Sequence, residues 1–218
     1  MSHADPAMKA YYADRAREYE RIYAKAERQT DLRKLEELIP AALSGRKVLE
    51  VACGTGYWTQ HIARTALQVL ATDLTEETLE VARSKSLPEK KVRFAIADAY
   101  NLPAAEGPFD GAYAGFWWSH LRHSEIRPFL ESLRRCLAPG ATVVLMDNRY
   151  VEGNSTPISR TDEEGNTWQE RKLLSGEKHE VLKNFPTEAQ LLGQVEGFGV
   201  NCRHTPLQYY WLFAFEAI

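Results

Sequence analysis

The feature that most constrains the fold is an alternation of short apolar segments and helical patterns between residues 45 and 148. Apolar segments of strand length are predicted at residues 47–51, 68–72, 92–97, 109–115 and 142–146. Helices are predicted between them, at residues 56–65, 76–85 and 124–137. Apolar strands that alternate with helices form parallel β-α-β units. The predicted fold class is therefore α/β, a doubly wound and mostly parallel sheet with helices on both faces.

The segments on either side of this alternation have different patterns. The first 44 residues contain two predicted helices, at 5–28 and 31–43. After residue 148, turn-forming residues lead into a predicted hairpin, and Thr187 and Gln190 have the spacing of a capping box at the start of a helix. The hairpin strands and the two closing strands are predicted at 168–174, 178–183, 199–204 and 208–215. A chain of 218 residues lies within the range of a single domain.

Composition and charge exclude several classes of protein. The chain has 27 Lys and Arg against 30 Asp and Glu, so its formal net charge is −3. Because no overall positive field exists, we expect neither nucleic acid nor an anionic membrane as a partner. No apolar run in the sequence reaches the roughly 20 residues that span a bilayer. We expect a soluble, cytoplasmic protein, and the sequence leaves its oligomeric state open.

The number and spacing of the cysteines also favour a cytoplasmic protein. Cys53, Cys136 and Cys202 lie far apart in the chain and form no Cys-x-x-Cys pair. An odd number of distant cysteines fits neither a disulfide framework nor a zinc site. We therefore expect a reducing environment and no metal.

A glycine turn follows the first predicted strand. Residues 48–56 read Val-Leu-Glu-Val-Ala-Cys-Gly-Thr-Gly, and Gly54 and Gly56 lead into a predicted helix. Glycines let the backbone approach a ligand closely, and the first N–H groups of a helix favour an anion. A dinucleotide fingerprint requires a glycine where Thr59 stands, and neither a Gly-Lys-Ser/Thr phosphate loop nor a Tyr-x-x-x-Lys pair is present. The turn alone predicts either a ligand site of open identity or a simple tight turn.

Two acidic residues mark the ends of the next two predicted strands. Asp73 ends the segment Leu-Ala-Thr-Asp, and Asp98 ends the segment Phe-Ala-Ile-Ala-Asp. The carboxyl ends of parallel strands meet at one edge of the sheet, where open α/β folds bind ligands. A carboxylate at Asp73 can accept hydrogen bonds from both hydroxyls of a ribose, and one at Asp98 from the amino group of adenine. Together with the glycine turn, these residues predict an adenine nucleoside site.

Taken in order, these motifs resemble those of the class I S-adenosylmethionine-dependent methyltransferases of the small-molecule type. The segments that carry the resemblance are Glu-Val-Ala-Cys-Gly-Thr-Gly at 50–56, Ala-Thr-Asp at 71–73, Ala-Asp-Ala at 97–99, Phe-Asp at 109–110 and Leu-Ala-Pro-Gly at 137–140. The match runs from about residue 45 to 148, nearly half of the chain. It implies a seven-stranded Rossmann-like sheet with an antiparallel last strand, and S-adenosylmethionine as the cofactor. Ala52 stands where the family usually has its first glycine, so we expect a tighter pocket.

The resemblance also implies a division of the chain and a set of cofactor-binding residues. The implied parts are an N-terminal helical lid (1–44), a cofactor-binding core (45–148), an insertion that shapes the substrate pocket (149–185) and a C-terminal helix with a strand pair (186–218). The glycine turn would contact the methionine end of the cofactor, and Asp73 would contact the ribose. Asp98 would contact the adenine, and Phe116 would lie near the sulfonium. Two lid tyrosines would contact the methionine carboxylate or the sulfonium, with plain helix packing as an equal alternative. The implied residues are Tyr11, Tyr19, Glu50, Ala52, Cys53, Gly54, Gly56, Asp73, Leu74, Asp98, Ala99 and Phe116.

The sequence carries fewer signals for the methyl acceptor. Methyl transfer from a sulfonium requires alignment and exclusion of water, and it requires a general base only where the acceptor is protonated. His120, just after the fourth predicted strand, is the best-placed catalytic base. Trp117 and Trp118 beside it, with Trp168 in the insertion, predict a substrate pocket for an aromatic or apolar molecule. Core packing is the alternative for these rings.

The function predicted from the sequence is methyl transfer from S-adenosylmethionine to oxygen, nitrogen or carbon of a small, aromatic or apolar molecule. Two alternatives keep the same fold, namely a protein side chain as the acceptor, or cofactor binding without catalysis. A nicotinamide-dependent oxidoreductase is disfavoured by Thr59 and by the missing Tyr-x-x-x-Lys pair.

Overall fold

A seven-stranded sheet forms the centre of the computed structural model, which describes residues 19–172, 176 and 178–218. The strands of this sheet are β1 (Lys47–Val51), β2 (Gln68–Asp73), β3 (Val92–Ile96), β4 (Phe109–Gly115), β5 (Leu137–Asn148), β9 (Gly199–Pro206) and β10 (Tyr210–Ala217). Their order is β3-β2-β1-β4-β5-β10-β9. Strands β1 to β5 are parallel, and β10 runs antiparallel to both of its neighbours. The predicted doubly wound sheet with an antiparallel last strand is confirmed.

Helices cover both faces of the sheet. They are α1 (Gln29–Ala42), α2 (Tyr57–Ile62), α3 (Glu76–Arg83), α4 (Ile126–Arg134) and α5 (Glu188–Gln194). Successive strand residues point to opposite faces, so Val48 packs in the core beneath α1 to α3 and Leu49 in the core beneath α4 and α5. Burial of both faces explains why the parallel strands are almost wholly apolar.

The strand order reverses at β1, which pairs with β2 on one side and with β4 on the other. In a sheet of this kind the connections leave in opposite directions at the reversal and open a crevice at the carboxyl ends of the strands. The glycine turn after β1, Asp73 at the end of β2 and Phe116 after β4 all lie at this edge.

The described part of the N-terminal segment is less regular than predicted. Residues 5–18 of the predicted first helix lie outside the described residues. The remainder forms two 3-10 helices, Tyr19–Ala24 and Ala26–Arg28, separated by Lys25 in an extended conformation. The prediction of an α-helix through residue 28 is wrong here, because the extended Lys25 interrupts the helical hydrogen bonds.

The boundary between α4 and β5 also differs from the prediction. A helix to residue 137 and a strand from residue 142 are predicted, whereas α4 ends at Arg134 and β5 begins at Leu137. Gly140 has a positive φ of 75°, and the pairing of β4 with β5 shifts register between Phe109 and Gly111. This irregularity accommodates the pair Pro139 and Gly140 inside the strand.

The insertion forms a small antiparallel sheet of its own. It contains β6 (Arg160–Thr161), β7 (Thr167–Lys172) and β8 (Lys178–Leu182) in that order. The predicted hairpin is thus confirmed as β7 and β8, and β6 is an addition to it. Just after β8, the Asn184 N–H donates to the Ser119 carbonyl and the Asn184 side-chain amide to the Leu121 carbonyl. These bonds dock the insertion on the loop that follows β4.

The C-terminal part follows the sequence pattern closely. The predicted capping box at the start of α5 is present: the Thr187 hydroxyl accepts from the Gln190 N–H, and the Gln190 side chain accepts from the Thr187 N–H. In the part of the chain that the structure describes, no helix combines the length and the apolar character needed to cross a membrane.

Candidate functional site

The turn after β1 is held in left-handed conformations. Ala52, Gly54 and Gly56 have φ values of 53°, 56° and 76°. A Cβ atom on Gly56 would lie 3.0 Å from the Cβ of Ala82 in α3, so only glycine combines this conformation with this packing. The turn therefore presents an open backbone surface at the switch point of the sheet.

Asp73 fastens this turn to the end of β2. Its Oδ2 accepts a hydrogen bond of 2.9 Å from the Gly54 N–H, and its Oδ1 accepts from the Thr75 N–H and the Thr78 hydroxyl. The carboxylate is half-buried, as is Leu74 beside it. Asp73 thus lies against the glycine turn, where the sequence places a ribose-binding carboxylate.

Asp98 lies at the neighbouring strand end. The Ala97 N–H donates to the Asp73 carbonyl, which joins the ends of β2 and β3. The Asp98 carboxylate accepts from the Tyr100 N–H at 3.0 Å, and Ala99 is buried in the core beneath α4. The two predicted nucleoside-binding acids therefore end adjacent strands at one edge.

Glu50 is the most unusual group at this edge. Its side chain is buried within β1, and its Oε2 has no hydrogen-bond partner among the described residues. Burial and, to a smaller extent, the nearby negative charge of Asp73 raise the pKa of Glu50 to about 8, against the opposing effect of the Thr59 hydroxyl. A buried carboxyl with an unsatisfied oxygen is energetically costly and is satisfied by a ligand that brings a cation or a donor.

Aromatic rings border the turn on its outer side. Phe116 has a φ of 56°, and its N–H donates to the Met146 carbonyl at 2.7 Å, so the backbone after β4 is fixed against β5. The Phe116 ring contacts Tyr23 and Tyr210, and Tyr23 stacks on Tyr57 with ring centroids 3.6 Å apart. These rings form an apolar wall next to the crevice.

The segment before α1 reaches the turn directly. The Glu20 carboxylate accepts from the Thr55 hydroxyl at 2.9 Å and from the Lys85 ammonium at 2.6 Å. With Tyr23, it places the described part of the N-terminal segment over the glycine turn. This is the position that a lid would occupy.

His120 lies in the 3-10 helix Trp118–His120 and is buried. Its Nδ1 lies 2.7 Å from the carbonyl oxygen of Leu182, the last residue of β8. Because a carbonyl only accepts, Nδ1 carries the hydrogen and the lone pair is on Nε2. Burial, together with the positive charges of Lys183 and Arg171, lowers the pKa of His120 well below its usual value. The imidazole is therefore neutral at pH 7.

A buried ion pair lies next to His120. The Lys183 ammonium donates to Asp147 Oδ1 at 2.8 Å and to the Ser119 hydroxyl at 2.5 Å, and Asp147 Oδ2 accepts from the Ser119 N–H. Although burial alone would raise it, the Lys183 charge lowers the pKa of Asp147. The pair joins the end of β5, the loop after β4 and the insertion.

A cavity of about 390 Å³ opens beside the Phe116 turn. The ends of the sheet strands and the loop after β4 contribute Phe116, His120, Asn148 and Tyr210, and the rest of its lining comes from the lid and the insertion. Its volume suits a small molecule, and its position is adjacent to the crevice at the strand ends.

Comparison with known proteins agrees with this geometry. Residues 48–140 match a family described as "Methyltransferase domain". An O-methyltransferase from Pyrenophora dematioidea is 35% identical over 184 residues, which are 82% of this chain and 65% of that protein. A demethylmenaquinone methyltransferase from Clavibacter sepedonicus is 33% identical over 107 residues, 49% of this chain and 43% of that protein.

Among solved structures, a DhpI–SAH complex superposes with a TM-score of 0.78 and 26% identity, covering 97% of this chain and 95% of that one. The chain is thus similar to S-adenosylmethionine-dependent methyltransferases in its fold and, over residues 48–140, in its sequence. It spans less than two thirds of the length of each of the two relatives named above.

The structure brings most of the predicted cofactor residues together at one edge. Glu50, Asp73, Asp98 and Phe116 all lie there, as do the glycine turn and its neighbours. Tyr11 lies outside the described residues, and Tyr19 is described only as the first residue of a 3-10 helix. Cys53 is buried, and burial raises the pKa of its thiol, so the side chain stays neutral.

The three tryptophans predicted to line the substrate pocket are not among the described residues that line the cavity beside Phe116. Trp118 donates to the Gln194 side chain at 3.0 Å, and it packs on Phe129 as Trp117 does. Trp168 lies under the guanidinium groups of two arginines of the loop and the insertion, Arg122 and Arg160. All three indoles have packing contacts elsewhere, and their role in a substrate pocket stays a prediction.

Several residues at the candidate site lack a recognisable signal in the sequence. Glu20, Tyr23 and Arg28 lie in the N-terminal segment, Asn148 ends β5, and Asn154 lies in the turn-rich stretch that follows. Arg28 and Asn154 are 126 positions apart yet hydrogen-bonded. Tyr19 and Tyr23 are four residues apart, the spacing of residues on one helix face, and this is the signal for Tyr23 in the sequence.

Proposed function

We propose that this protein uses S-adenosylmethionine to methylate a small molecule. The observation that carries the proposal is the Glu50 carboxyl, which is buried with an unpartnered oxygen beside the glycine turn and Asp73. The DhpI–SAH complex, 26% identical over 97% of this chain, supports this family of cofactor. The names of the O-methyltransferase and demethylmenaquinone methyltransferase relatives support a small molecule as the acceptor.

The residues of the edge suit the chemical groups of this cofactor. The buried oxygen of Glu50 would pair with the positively charged amino group of the methionine end. The backbone of the turn at Ala52, Cys53, Gly54 and Gly56 would lie along the same end, Asp73 with Leu74 would hold the ribose, and Asp98 with Ala99 the adenine. When bound, S-adenosylmethionine supplies an electrophilic methyl group on a sulfonium sulfur.

The chain's own groups provide alignment and exclude water. The fixed backbone of Phe116 and the rings of Tyr23 and Tyr210 enclose the side of the crevice that meets the cavity. His120 lines the cavity with its lone pair on Nε2, so it can accept a proton from an acceptor. Its low pKa makes it a weak base, suited only to acceptors that ionise readily.

We propose the same division of the chain as the sequence implies, with the lid at 1–44, the cofactor-binding core at 45–148, the insertion at 149–185 and the C-terminal part at 186–218. The contacts of Glu20 and Tyr23 with the turn support the role of the lid. Tyr11 and Tyr19 are assigned to the cofactor by the family resemblance. The three free cysteines support a reducing, cytoplasmic compartment.

Calorimetric titration of the purified protein with S-adenosylmethionine, S-adenosylhomocysteine and NAD tests the proposal. We expect micromolar binding of the first two and none of NAD. Binding of NAD alone would overturn the assignment of the cofactor.

Asp73→Asn tests the assignment of the ribose site, because Asp73 is proposed to hold the ribose and is hydrogen-bonded to the glycine turn. We expect about tenfold weaker binding of S-adenosylhomocysteine or more, because a charged acceptor is lost. Glu77→Gln removes one exposed carboxylate from the nearby helix α3 and is the matched control, expected to bind as the unmodified protein does. Equal affinity of Asp73→Asn and the control contradicts the ribose assignment.

A further inference from the structure

The cavity beside Phe116 has an unusual charge for a protein of net charge −3. Among the described residues that line it, five side chains are cationic and one, that of Glu170, is a carboxylate. The cationic residues are Lys25, Arg28, Arg171, Lys172 and Lys183. Glu170 is bonded to Lys178 of β8 at 2.8 Å, and Lys183 is bonded to Asp147. Lys25, Arg28 and Lys172 add positive charge to the lining beyond these two pairs.

Arg28 is the best organised of these cations. Its two terminal nitrogens donate to the side-chain oxygens of Asn148 at 3.1 Å and Asn154 at 2.6 Å. Its guanidinium lies over the rings of Tyr209 and Tyr210, 5.4 and 5.5 Å from their centroids. The amide and aromatic partners orient the guanidinium without neutralising its charge, and a fixed guanidinium is a favoured binder of carboxylate and phosphate.

A second hydrogen bond fixes the side chain that orients Arg28. The Asn154 side chain donates to the Glu27 carboxylate at 3.0 Å, which directs its oxygen toward Arg28. A guanidinium that is held in place in this way, at the wall of a cavity that reaches the Phe116 turn, has the properties of an anchor for an anion.

We propose that the methyl acceptor is a small molecule that carries an oxyanion, and that Arg28 anchors this group in the cavity while the acceptor atom faces the Phe116 turn. The inference rests on the proposed function and names the class of its substrate. It replaces an aromatic or apolar acceptor, the class inferred from the tryptophans, with an acidic one. Carboxylate and phosphate share the required chemistry.

Thermal unfolding of the protein saturated with S-adenosylhomocysteine tests the anchor. The probes are inorganic phosphate and acetate, with sodium chloride at equal ionic strength and acetamide as the uncharged counterpart. We expect phosphate, acetate or both to raise the melting temperature in a saturable way, and the two controls to have no such effect. Stabilisation by phosphate alone indicates a phosphate-type acceptor, and stabilisation by acetate alone a carboxylate.

Matched variants assign the effect to this cavity. Arg28→Gln is expected to raise the apparent Kd of the anion at least tenfold, and Arg28→Lys to restore part of the affinity. Arg135→Gln removes one exposed charge that lies after α4 and is the control. Lys172→Gln, an exposed lining residue, is a second variant that does not depend on packing of the lid, and weaker anion binding is again expected.

The outcomes separate the two proposals. If the unmodified protein does not bind S-adenosylhomocysteine, the proposed function is overturned and this inference with it. Normal cofactor binding without stabilisation by either anion overturns the inference alone. The same holds if Arg28→Gln and Lys172→Gln bind the anion as tightly as Arg135→Gln does.

Discussion

Ala52 occupies a backbone conformation that ordinarily selects glycine. Its φ of 53° places an L-residue in the left-handed region, at a cost of roughly 1–2 kcal/mol. Because the family usually has glycine there, the chain retains this strain at the edge where the cofactor is proposed to bind. The turn tolerates it since the Cys53 N–H is bonded to the Thr72 carbonyl and the Gly56 N–H to the Cys53 carbonyl.

Ala52→Gly is expected to be neutral or stabilising, which is unusual for a change from alanine to glycine. Relief of the left-handed strain offsets the extra freedom of the unfolded chain, about 0.4–1 kcal/mol. Ala41→Gly, at an exposed position in α1, is the control and should lower the free energy of unfolding by about 1 kcal/mol. Urea unfolding measures both. An equal loss in the two variants would show that Ala52 is not strained.

Glu50 makes the stability of the cofactor-free protein depend on pH. Its pKa is about 8 in the folded state against an ordinary 4.5, so the folded protein holds a proton that the unfolded chain releases between these values. The free energy of unfolding should therefore fall as the pH rises through this range, by at most about 1.4 kcal/mol per pH unit.

Glu50→Gln should flatten this dependence and raise the stability of the cofactor-free protein near pH 8, because no charge is then buried. Urea unfolding at several pH values between about 5 and 8 gives the slope, with Glu77→Gln as the exposed control. An unchanged slope in Glu50→Gln would mean that another group is responsible.

At the scale of elements, the buried pair of Lys183 and Asp147 connects the insertion to the central sheet. Lys183 follows β8 and Asp147 lies near the end of β5. Both side chains are buried. Removing one partner leaves a buried charge without compensation, which costs more than the pair itself contributes.

Lys183→Met is expected to lower the free energy of unfolding by about 3–5 kcal/mol. Adding Asp147→Asn should recover part of the loss, since the isolated charge is removed while one side-chain oxygen remains. Arg83→Met, which breaks an exposed pair with Glu76, is the control and should cost at most about 1 kcal/mol. Equal losses in the single and double variants would exclude an uncompensated charge as the cause.

The elements of the central sheet are predictable because their pattern is local. The bounds of β1 and β4 agree with the prediction, and those of β2 and β3 differ by one residue, since buried parallel strands are continuous apolar runs. The start of β5 was missed because a Pro-Gly pair usually ends an element, and here a shift in register accommodates it. The 3-10 helices of the lid were missed because tyrosine and alanine spacing there also suits an α-helix.

At the scale of the whole molecule, the proposed cofactor edge can be predicted from the sequence, whereas the proposed acceptor cavity cannot. The cofactor edge is assembled from strand ends in chain order, so motifs alone locate Glu50, Asp73 and Asp98. The acceptor cavity combines the lid, the ends of β5 and β10, and the insertion, which meet only in the folded chain. Tryptophans conspicuous in the sequence proved to pack elsewhere, while Arg28 is ordinary in the sequence and organised only by distant asparagines.

The position of Arg28 has a consequence for how the two proposed sites depend on each other. The short segment before α1 holds Glu20 on Thr55 of the glycine turn and, a few residues later, Arg28 on the wall of the cavity. Because one segment contributes to both places, we expect a change that displaces it to weaken the binding of cofactor and acceptor together.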